Sequence, residues 1–468
     1  MAVSDPTRAD ASLAERRLLS IRPGRAHGLH DRLQRLELTG RLLVCWFGAF
    51  VAFRWSSGPA DAAAAATLLA PAWGLLHSRV AQSFRAMTFV AGPFLVAAIT
   101  SAFAVAGLAA LAYLEPWWEP GRETLLLLGG ANLAAVTAWG LFVTRATSAP
   151  ARLLVVGGDA AVVRLLANID SGNVPLDVVA VVADEIDPAI EARPVFTAAL
   201  DELGDVVRRI EPDLVVIAVQ RGRPVVFREL LHVAETGFRI TGLPELYEFT
   251  FGRLPIEELT PAWFMSVLHA YNRPVNRLAK RAFDLVVALV GVAVSLPLLP
   301  AIVLVVKRTP GPLLYRQTRL GEHGRPFTML KFRSMRSDAE AGTGARWAAR
   351  ADDRIIPGGR LLRLLRLDEL PQLVNVLRGE MSIVGPRPER PEFLAYLEGE
   401  VPFWSQRHLL RPGITGWAQI RSSYAADTLA TVEKLSYDLW YLRHRSLLLD
   451  ILVCARTLPR MVTFGGAR

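Results

Sequence analysis

Four apolar stretches come first along the chain, at 39–57, 62–80, 88–114 and 123–144. A membrane-spanning helix needs about 20 apolar residues. The third and fourth stretches reach that length; Arg54 interrupts the end of the first, and the second is Ala-rich and carries Pro71. Basic residues are placed unevenly around them. Arg35 and Arg41 lie at the start of the first, Arg79 and Arg85 separate the second from the third, and Arg145 and Arg152 follow the fourth. The other two connections, 56–61 and 115–120, carry no basic residue. Because basic loops stay on the cytosolic side, the pattern predicts four transmembrane helices within 37–147, with both ends of the block in the cytosol. Trp117 and Trp118 are expected at the outer interface. Buried helices of a soluble bundle are the competing reading. Residues 1–36 mix Arg8, Arg16, Arg17, Arg22 and Arg25 with acidic residues and lack an apolar core. They predict a disordered basic arm and no signal peptide.

From Ala151 the period changes. Residues 152–156 read as a buried strand ending at Gly157-Gly158, followed by a helix over 160–169. Residues 177–182 and 213–219 read as further strands, with a helix over 199–210 between them. Strands alternating with helices predict a small parallel α/β domain, Rossmann-like, over 151–245. The dinucleotide fingerprint Gly-x-Gly-x-x-Gly lacks its third glycine, because the turn runs Gly157-Gly158-Asp159-Ala160-Ala161-Val162. A structural or regulatory domain is therefore expected rather than one that binds NAD. A linker rich in proline and aromatic residues follows, over 246–275.

A fifth apolar run covers 282–306, with Lys280 and Arg281 before it and Lys307 and Arg308 after it. Both flanks carry the cytosolic signature. The run is interrupted at Ser295, Pro297 and Pro300. Proline removes a backbone donor, and in lipid the freed carbonyls must be satisfied locally. A re-entrant hairpin is predicted, with a kinked single span as the alternative. The remainder of 276–468 is then a mostly helical, monotopic domain on the cytosolic face.

Composition agrees with a mixture of spans and water-facing domains: 52% of the 468 residues are hydrophobic and the net charge is +9. The basic residues are nearly all arginine, with lysine only at 280, 307, 331 and 434. That bias has a plain compositional reading; its functional reading is attraction to phosphates and anionic headgroups. No zinc-finger spacing and no basic stripe interleaved with aromatics points to nucleic acid. Cys45 and Cys454 lack a CxxC partner, so neither a disulfide framework nor a cysteine metal site is implied.

The densest polar run lies between Arg360 and Pro388. Asp368 and Glu369 are adjacent carboxylates following Arg360, Arg363 and Arg366. Around them in sequence stand Arg316 and Arg319 between Gly311 and Gly321, then Lys331 and Arg333, then Gly385-Pro386-Arg387-Pro388, then Arg411-Pro412-Gly413. Each cluster alone is an ordinary solvated turn. Arginines framed by glycine and proline, with carboxylates among them, suit phosphate binding at about 1.5–3 kcal/mol per charge-assisted contact. The carboxylates suit attack on phosphorus or metal binding. Asp368 also reads as the N-cap of a Leu-rich helix with Pro371 in its first turn, where the helix dipole favours the ionised form.

These motifs, together with Leu367-Asp-Glu-Leu-Pro-Gln372, Asn375, Gly379-x-Met381-Ser382 and Arg411-Pro-Gly-Ile-Thr-Gly416, resemble the bacterial sugar transferases, which move a sugar-1-phosphate onto a polyprenyl phosphate. The resemblance covers about 275–468. Upstream, four spans and a degenerate Rossmann-like domain are similar to the long, exopolysaccharide-initiating form. The resemblance implies that Asp368 attacks a nucleotide-diphosphate sugar of the UDP-hexose kind, forms a phosphosugar–aspartyl intermediate and passes it to undecaprenyl phosphate. It implies Glu369 as base or metal ligand, and Mg2+ held by Asp368 and Glu369. Arg387 would grip phosphate, with Lys331, Arg333, Arg316, Arg319, Arg411 and Gln372 as further binding residues. The inner membrane is the implied location, with the catalytic domain facing the cytoplasm and a second copy of the chain as partner. One departure stands at Asp353-Arg354-Ile355, where Ile356-Pro357 follows in place of the family's usual threonine.

Two other functions compete. A membrane-bound NAD-dependent dehydratase or epimerase needs Tyr-x-x-x-Lys, and no lysine here has tyrosine four residues before it. A non-catalytic polysaccharide assembly protein would leave the acidic pair and its arginine loops without a purpose.

Overall fold

The computed structural model describes residues 150–259, apart from 173, 220–222 and 234–236, and residues 274–462, apart from 337–353 and 423–427. Before 150 it describes 40, 42–51, 54, 66–67, 69–75, 77, 93–114 and 122–146. The basic arm, both connections expected on the outer side, residues 260–273 of the linker and Asp353 lie outside the described residues. The chain divides between Phe251 and Gly252 into two compact units.

The first unit opens with apolar helices. Leu42–Val51 and 69–75 are short; α1 covers Pro93–Leu114 and α2 covers Arg122–Ala146. Within α2, Glu123–Phe142 is long and apolar enough to cross a membrane. The shared core is built largely from small residues: Cys45, Ala49, Ala66, Ala97 and Ala104, with Trp73, Leu128 and Val136. Gly48 allows a close approach, since a Cβ there would meet the Asn132 backbone at 3.2 Å. Large side chains point outward instead, with Phe47 59% and Leu126 76% exposed. Small inside and large outside is how helices pack when their surroundings are as apolar as their cores.

The α/β part of this unit contains β1 (Ala151–Val156), α3 (Ala160–Ser171), β2 (Leu176–Val182), β3 (Phe196–Ala198), α4 (Leu203–Ile210), β4 (Leu214–Ile217), α5 (Arg223–His232), β5 (Arg239–Gly242) and α6 (Leu243–Thr250). The strands form one parallel sheet in the order β3-β2-β1-β4-β5. Both faces are covered. Leu153, Val155 and Val181 pack with α3 and α6, while Leu154, Val156 and Val182 pack with α4 and α5. Double coverage explains the unbroken apolar runs of β1, β2 and β4. The helix expected over 199–210 starts later, after a 3-10 turn at Leu200–Glu202. At the first turn, Asp159 accepts from Ala161 N at 3.1 Å and Val162 N at 3.3 Å. These are helix N-terminal amides of the kind that hold a pyrophosphate in dinucleotide-binding folds. Asp187 N donates to Gly158 O at 2.8 Å, and a Cβ on Gly158 would lie 2.1 Å from Glu185 O. The crevice beside β1 is thus filled by the 183–187 segment.

The second unit begins with α7 (Pro274–Ser295), a 3-10 turn at Leu296–Leu298, and α8 (Leu299–Lys307). Arg277–Lys307 is the second described segment long and apolar enough to cross a membrane. At the break Ser295 Oγ donates to Val292 O at 2.8 Å, in the last turn before Pro297. Val286, Leu289, Val290, Val294, Leu296 and Leu304 form an exposed apolar face, while Ala288, Ile302 and Val306 are buried.

The remaining elements include β6 (Leu314–Leu320) and β7 (Pro326–Phe332), an antiparallel hairpin; α9 (Gly359–Leu364); α10 (Gln372–Arg378); β8 (Ser382–Val384), paired in parallel with β9 (Gly413–Thr415); and α11 (Trp417–Arg421), α12 (Thr428–His444) and α13 (Leu447–Val462). Buried charges fasten α7 to this body. Arg281 donates to Val376 O and Leu377 O at 2.7 and 2.8 Å, in the last turn of α10, where Val376 O also accepts from Gly379 N at 3.0 Å. Asp284 accepts from Ser382 Oγ at 3.0 Å and Ile383 N at 3.1 Å. Lys280 lies 3.0 Å from Asp284 and 2.8 Å from Asp450, and Asp450 accepts from Tyr441 Oη at 2.5 Å.

Asp284→Ala leaves Lys280, Ser382 and Ile383 N without their shared acceptor. The expected loss is about 3–5 kcal/mol, read as unfolding free energy of the detergent-solubilised protein; a loss under about 1 kcal/mol would show that the cluster does not hold α7.

Candidate active site

The acidic pair owes its placement to a backbone turn. Arg366 is left-handed (φ 53°, ψ 22°), Leu367–Glu369 form a 3-10 turn, and α10 begins only at Gln372. A left-handed non-glycine residue is strained by about 1–2 kcal/mol, and here it redirects the chain so that both carboxylates turn inward. The N-cap reading of Asp368 is therefore corrected: Pro371 occupies the cap position, with no side-chain cap bond. Asn375 fixes α10 against the hairpin. Its Oδ1 accepts from Leu330 N at 3.1 Å, and its Nδ2 donates to Thr328 O at 2.8 Å and Glu380 Oε2 at 2.7 Å. This bond set brings the acidic pair alongside Lys331.

Asp368 and Glu369 are 7% and 9% exposed. Glu369 is surrounded by cations: Lys331 Nζ at 3.2 Å, Arg366 Nη1 at 3.5 Å and Arg387 Nη1 at 3.9 Å. Burial pushes its carboxyl up, but Lys331, Arg387 and Arg366 together outweigh burial and hold it at about 2. No hydrogen bond reaches the Asp368 carboxylate among the described residues. Burial, and then the neighbouring Glu369 charge, push it up to about 6 against the pull of Lys331, Arg363 and Arg387. Two adjacent carboxylates have thus been driven apart, one below and one above the usual carboxylate range.

A cleft next to the pair is lined by Arg319, Lys331, Glu369, Gln372 and Arg387, with Met329 and Pro388. Strand register selects which basic residues arrive there. Lys331 pairs with Tyr315 and Arg319 with Phe327, so Lys331 and Arg319 share one face of the hairpin. Arg319 is buried enough, and near enough to Arg387, to be lowered to about 10.

Three of the basic residues expected to bind phosphate are not brought to the pair. Arg316 pairs with Leu330 and falls on the opposite hairpin face, exposed. Arg333 is 3% exposed, and its guanidinium donates to Pro312 O, Val306 O, Thr309 O and Thr309 Oγ1 at 2.8–3.0 Å. It caps the end of α8, and four of its five N–H donors are spent there. Arg411 donates to Glu322 Oε2 at 3.0 Å, outside the cleft lining. Arg366 is the participant the site reading left out; its three-residue spacing before Glu369 was the available signal.

The glycines of the 385 and 413 loops serve packing between backbones. A Cβ on Gly385 would lie 2.3 Å from Arg411 O, one on Gly413 2.1 Å from Gly385 N, and one on Gly416 2.2 Å from Gly385 O. The two loops touch main chain to main chain, which ends β8 close to the acidic pair.

Among the described residues no group of three His, Cys, Asp or Glu is placed to hold a metal ion. Magnesium usually takes one or two carboxylates together with substrate phosphates. Asp368 fits that role, while the Glu369 carboxylate is already taken up by its three cations.

A family model described as bacterial sugar transferase matches residues 275–464. A UDP-N-acetylgalactosamine-undecaprenyl-phosphate N-acetylgalactosaminephosphotransferase from Aeromonas hydrophila is 38% identical over 227 residues, 48% of this chain and 53% of that protein. A UDP-glucose:undecaprenyl-phosphate glucose-1-phosphate transferase from Escherichia coli is 39% identical over 248 residues, 51% of this chain and 52% of that protein. A protein of the same description from Caulobacter vibrioides is 40% identical over 193 residues, 41% of this chain and 72% of its own length. The chain spans about half the length of the first two of these relatives.

Gly385→Ala forces two backbones apart. We expect a loss of about 1–3 kcal/mol in the unfolding free energy, whereas Ala at Gly399, in the helix Leu394–Glu400 where a Cβ meets nothing within 4 Å, should cost nothing and add up to about 1 kcal/mol.

Proposed function

The chain belongs to the bacterial sugar transferase family, and from that membership we propose that it transfers a sugar-1-phosphate from a nucleotide-diphosphate sugar to polyprenyl phosphate. The observation that carries the reading is the division of labour in the acidic pair: an Asp368 carboxylate that no described residue hydrogen-bonds, beside a Glu369 fixed by Lys331, Arg366 and Arg387.

In the first step an Asp368 oxygen attacks the phosphorus that bears the sugar. The bond from that phosphorus to the nucleoside monophosphate breaks, and the monophosphate leaves with the electron pair. In the second step a phosphate oxygen of the polyprenyl lipid attacks the same phosphorus, and the Asp368 carboxylate leaves. One phosphorus–oxygen bond replaces another in each step, so catalysis rests on positioning and on cations set out in advance. Arg387, Arg319 and Lys331 supply those cations, and Gln372 a neutral contact. Glu369 holds the cations in place; an acid at about 2 that is already bonded to lysine is a poor base. Magnesium, carried with the diphosphate and met by Asp368, would neutralise charge on the leaving group. The donor is proposed as a UDP-hexose because the relatives named above carry UDP-glucose or UDP-N-acetylgalactosamine in their descriptions.

We place the protein in the bacterial inner membrane through the four apolar stretches within 37–147, with 151–245, the linker 246–275 and 276–468 on the cytosolic side. For 282–306 the re-entrant hairpin is favoured. Residues on both sides of the Ser295–Pro300 break pack on the same body: a Cβ on Gly291 would meet Leu373, and Ile302 and Val306 pack with Phe332 and Leu362. Its exposed apolar face would rest in one leaflet. A homodimer is proposed, with the α/β domain as the part available for contact.

Asp368→Asn is expected to abolish transfer of label from UDP-glucose or UDP-N-acetylgalactosamine to undecaprenyl phosphate, and wild-type protein held without acceptor should carry a phosphosugar on Asp368 by mass spectrometry. Retained turnover in the variant would reject the mechanism. Turnover should also fall as pH is lowered through about 6, tenfold per unit below it, because only ionised Asp368 attacks. A carboxyl raised on folding contributes stability below its ordinary range and loses it as pH rises through about 6. This group therefore predicts an activity loss between pH 7 and 5 without a parallel fall in melting temperature. Lys331→Met should shift the activity limb to higher pH, since Lys331 lowers both carboxyls.

A further inference from the structure

Residues 387–389 have no regular secondary structure, yet their three successive carbonyls are each held from outside. Arg407 Nη2 donates to Arg387 O at 3.1 Å, Arg319 Nη1 to Pro388 O at 2.9 Å, and Leu320 N to Glu389 O at 2.9 Å. Arg407 is not in the cleft. It lies in the 3-10 segment Trp404–Leu409, 3% exposed, with its guanidinium 4.4 Å from the Trp404 ring centroid. Its Nη2 lies 2.8 Å from Asp438 Oδ2, and its Nη1 donates to Glu389 Oε1 at 3.4 Å. Asp438, on α12, is 2% exposed.

A buried ion pair is a weak source of stability, because desolvation offsets most of the attraction. What this one does geometrically is specific. It fixes the main chain of the residue whose side chain reaches Glu369 Oε1 at 3.9 Å. Arg387 is 37% exposed in its side chain. With a long, part-exposed side chain, the placement of its guanidinium depends on where its backbone is held.

We propose that Arg407 and Asp438 form a positioning pair that sets Arg387 at the acidic pair. This rests on the transfer reaction proposed above. Neither residue touches the cleft; both act through the Arg387 carbonyl. Misplacing a phosphate-gripping group by about 1 Å costs on the order of a hundredfold in rate.

The test is a double-mutant cycle on the full chain in detergent micelles, with labelled UDP-glucose and UDP-N-acetylgalactosamine as donors and undecaprenyl phosphate as acceptor. Arg407→Lys and Arg387→Lys are each expected to lower kcat on the order of tenfold to a hundredfold. The double variant should be no more than about twofold below Arg387→Lys alone, since coupled residues are not additive. Asp438→Asn, which keeps the side-chain volume, should show the same coupling to Arg387→Lys. Losses that multiply overturn the proposal. So does failure of both Arg407→Lys and Asp438→Asn to fold while Arg387→Lys folds, because the pair is then structural only. The two ideas fail separately: no turnover in the wild type sinks the transfer reaction, whereas wild-type turnover with an additive cycle sinks only the positioning role.

Discussion

Two adjacent carboxylates in a nearly dry place cannot both be comfortable. Burial works against both charges and the Glu369 charge raises Asp368 further, while the structure relieves Glu369 with Lys331, Arg387 and Arg366. Among the described residues no hydrogen bond reaches the other. Most of the catalytic unit can be understood as the scaffold this solution needs. The hairpin register delivers Lys331 and Arg319 on one face. The left-handed turn at Arg366 faces the pair inward. Asn375 joins the two. Removing any one of these leaves a carboxylate buried without its compensating charge, so the site behaves as a single object.

The first unit is related to chemistry in a different way. Its sheet has the strand order of dinucleotide-binding folds. At the point where such folds meet a pyrophosphate, Asp159 occupies the helix amides and the 183–187 segment fills the crevice. The architecture survives while the place for an anion is taken by an anionic side chain of the protein itself.

Long regular elements were legible in the sequence because their signal is spread over many residues. The runs at 152–156, 177–182 and 213–219 and the apolar helices are of this kind. β3 and β5 were not legible: three or four residues at a sheet edge carry no period. In the site, Asp368, Glu369, Lys331 and Arg387 could be picked out as charges in proline- and glycine-rich loops. Sequence could not say which guanidiniums were already engaged. Arg333 and Arg411 stand in the same kind of motif as Arg387, but partners distant in sequence, at Val306 and Glu322, have claimed them. Arg316 differs from Arg319 by strand parity alone. The glycines at 385, 413 and 416 read as a phosphate cradle, while their shape answers to contact between two main chains.

The grips of Arg281 and Asp284 have one more implication. Arg281 holds the far end of the helix that follows the acidic pair, and Asp284 holds the strand that leads to Arg387. Both residues sit on α7, one turn before its exposed apolar face begins at Val286. On the proposed reading, in which that face rests in a leaflet, α7 would act as a keel, and the altitude of the Asp368 carboxylate over the lipid surface would be a fixed dimension of the molecule. A phosphate tethered to an isoprenoid in that leaflet could rise only so far, so buoyancy and chemistry would then be set by the same few bonds.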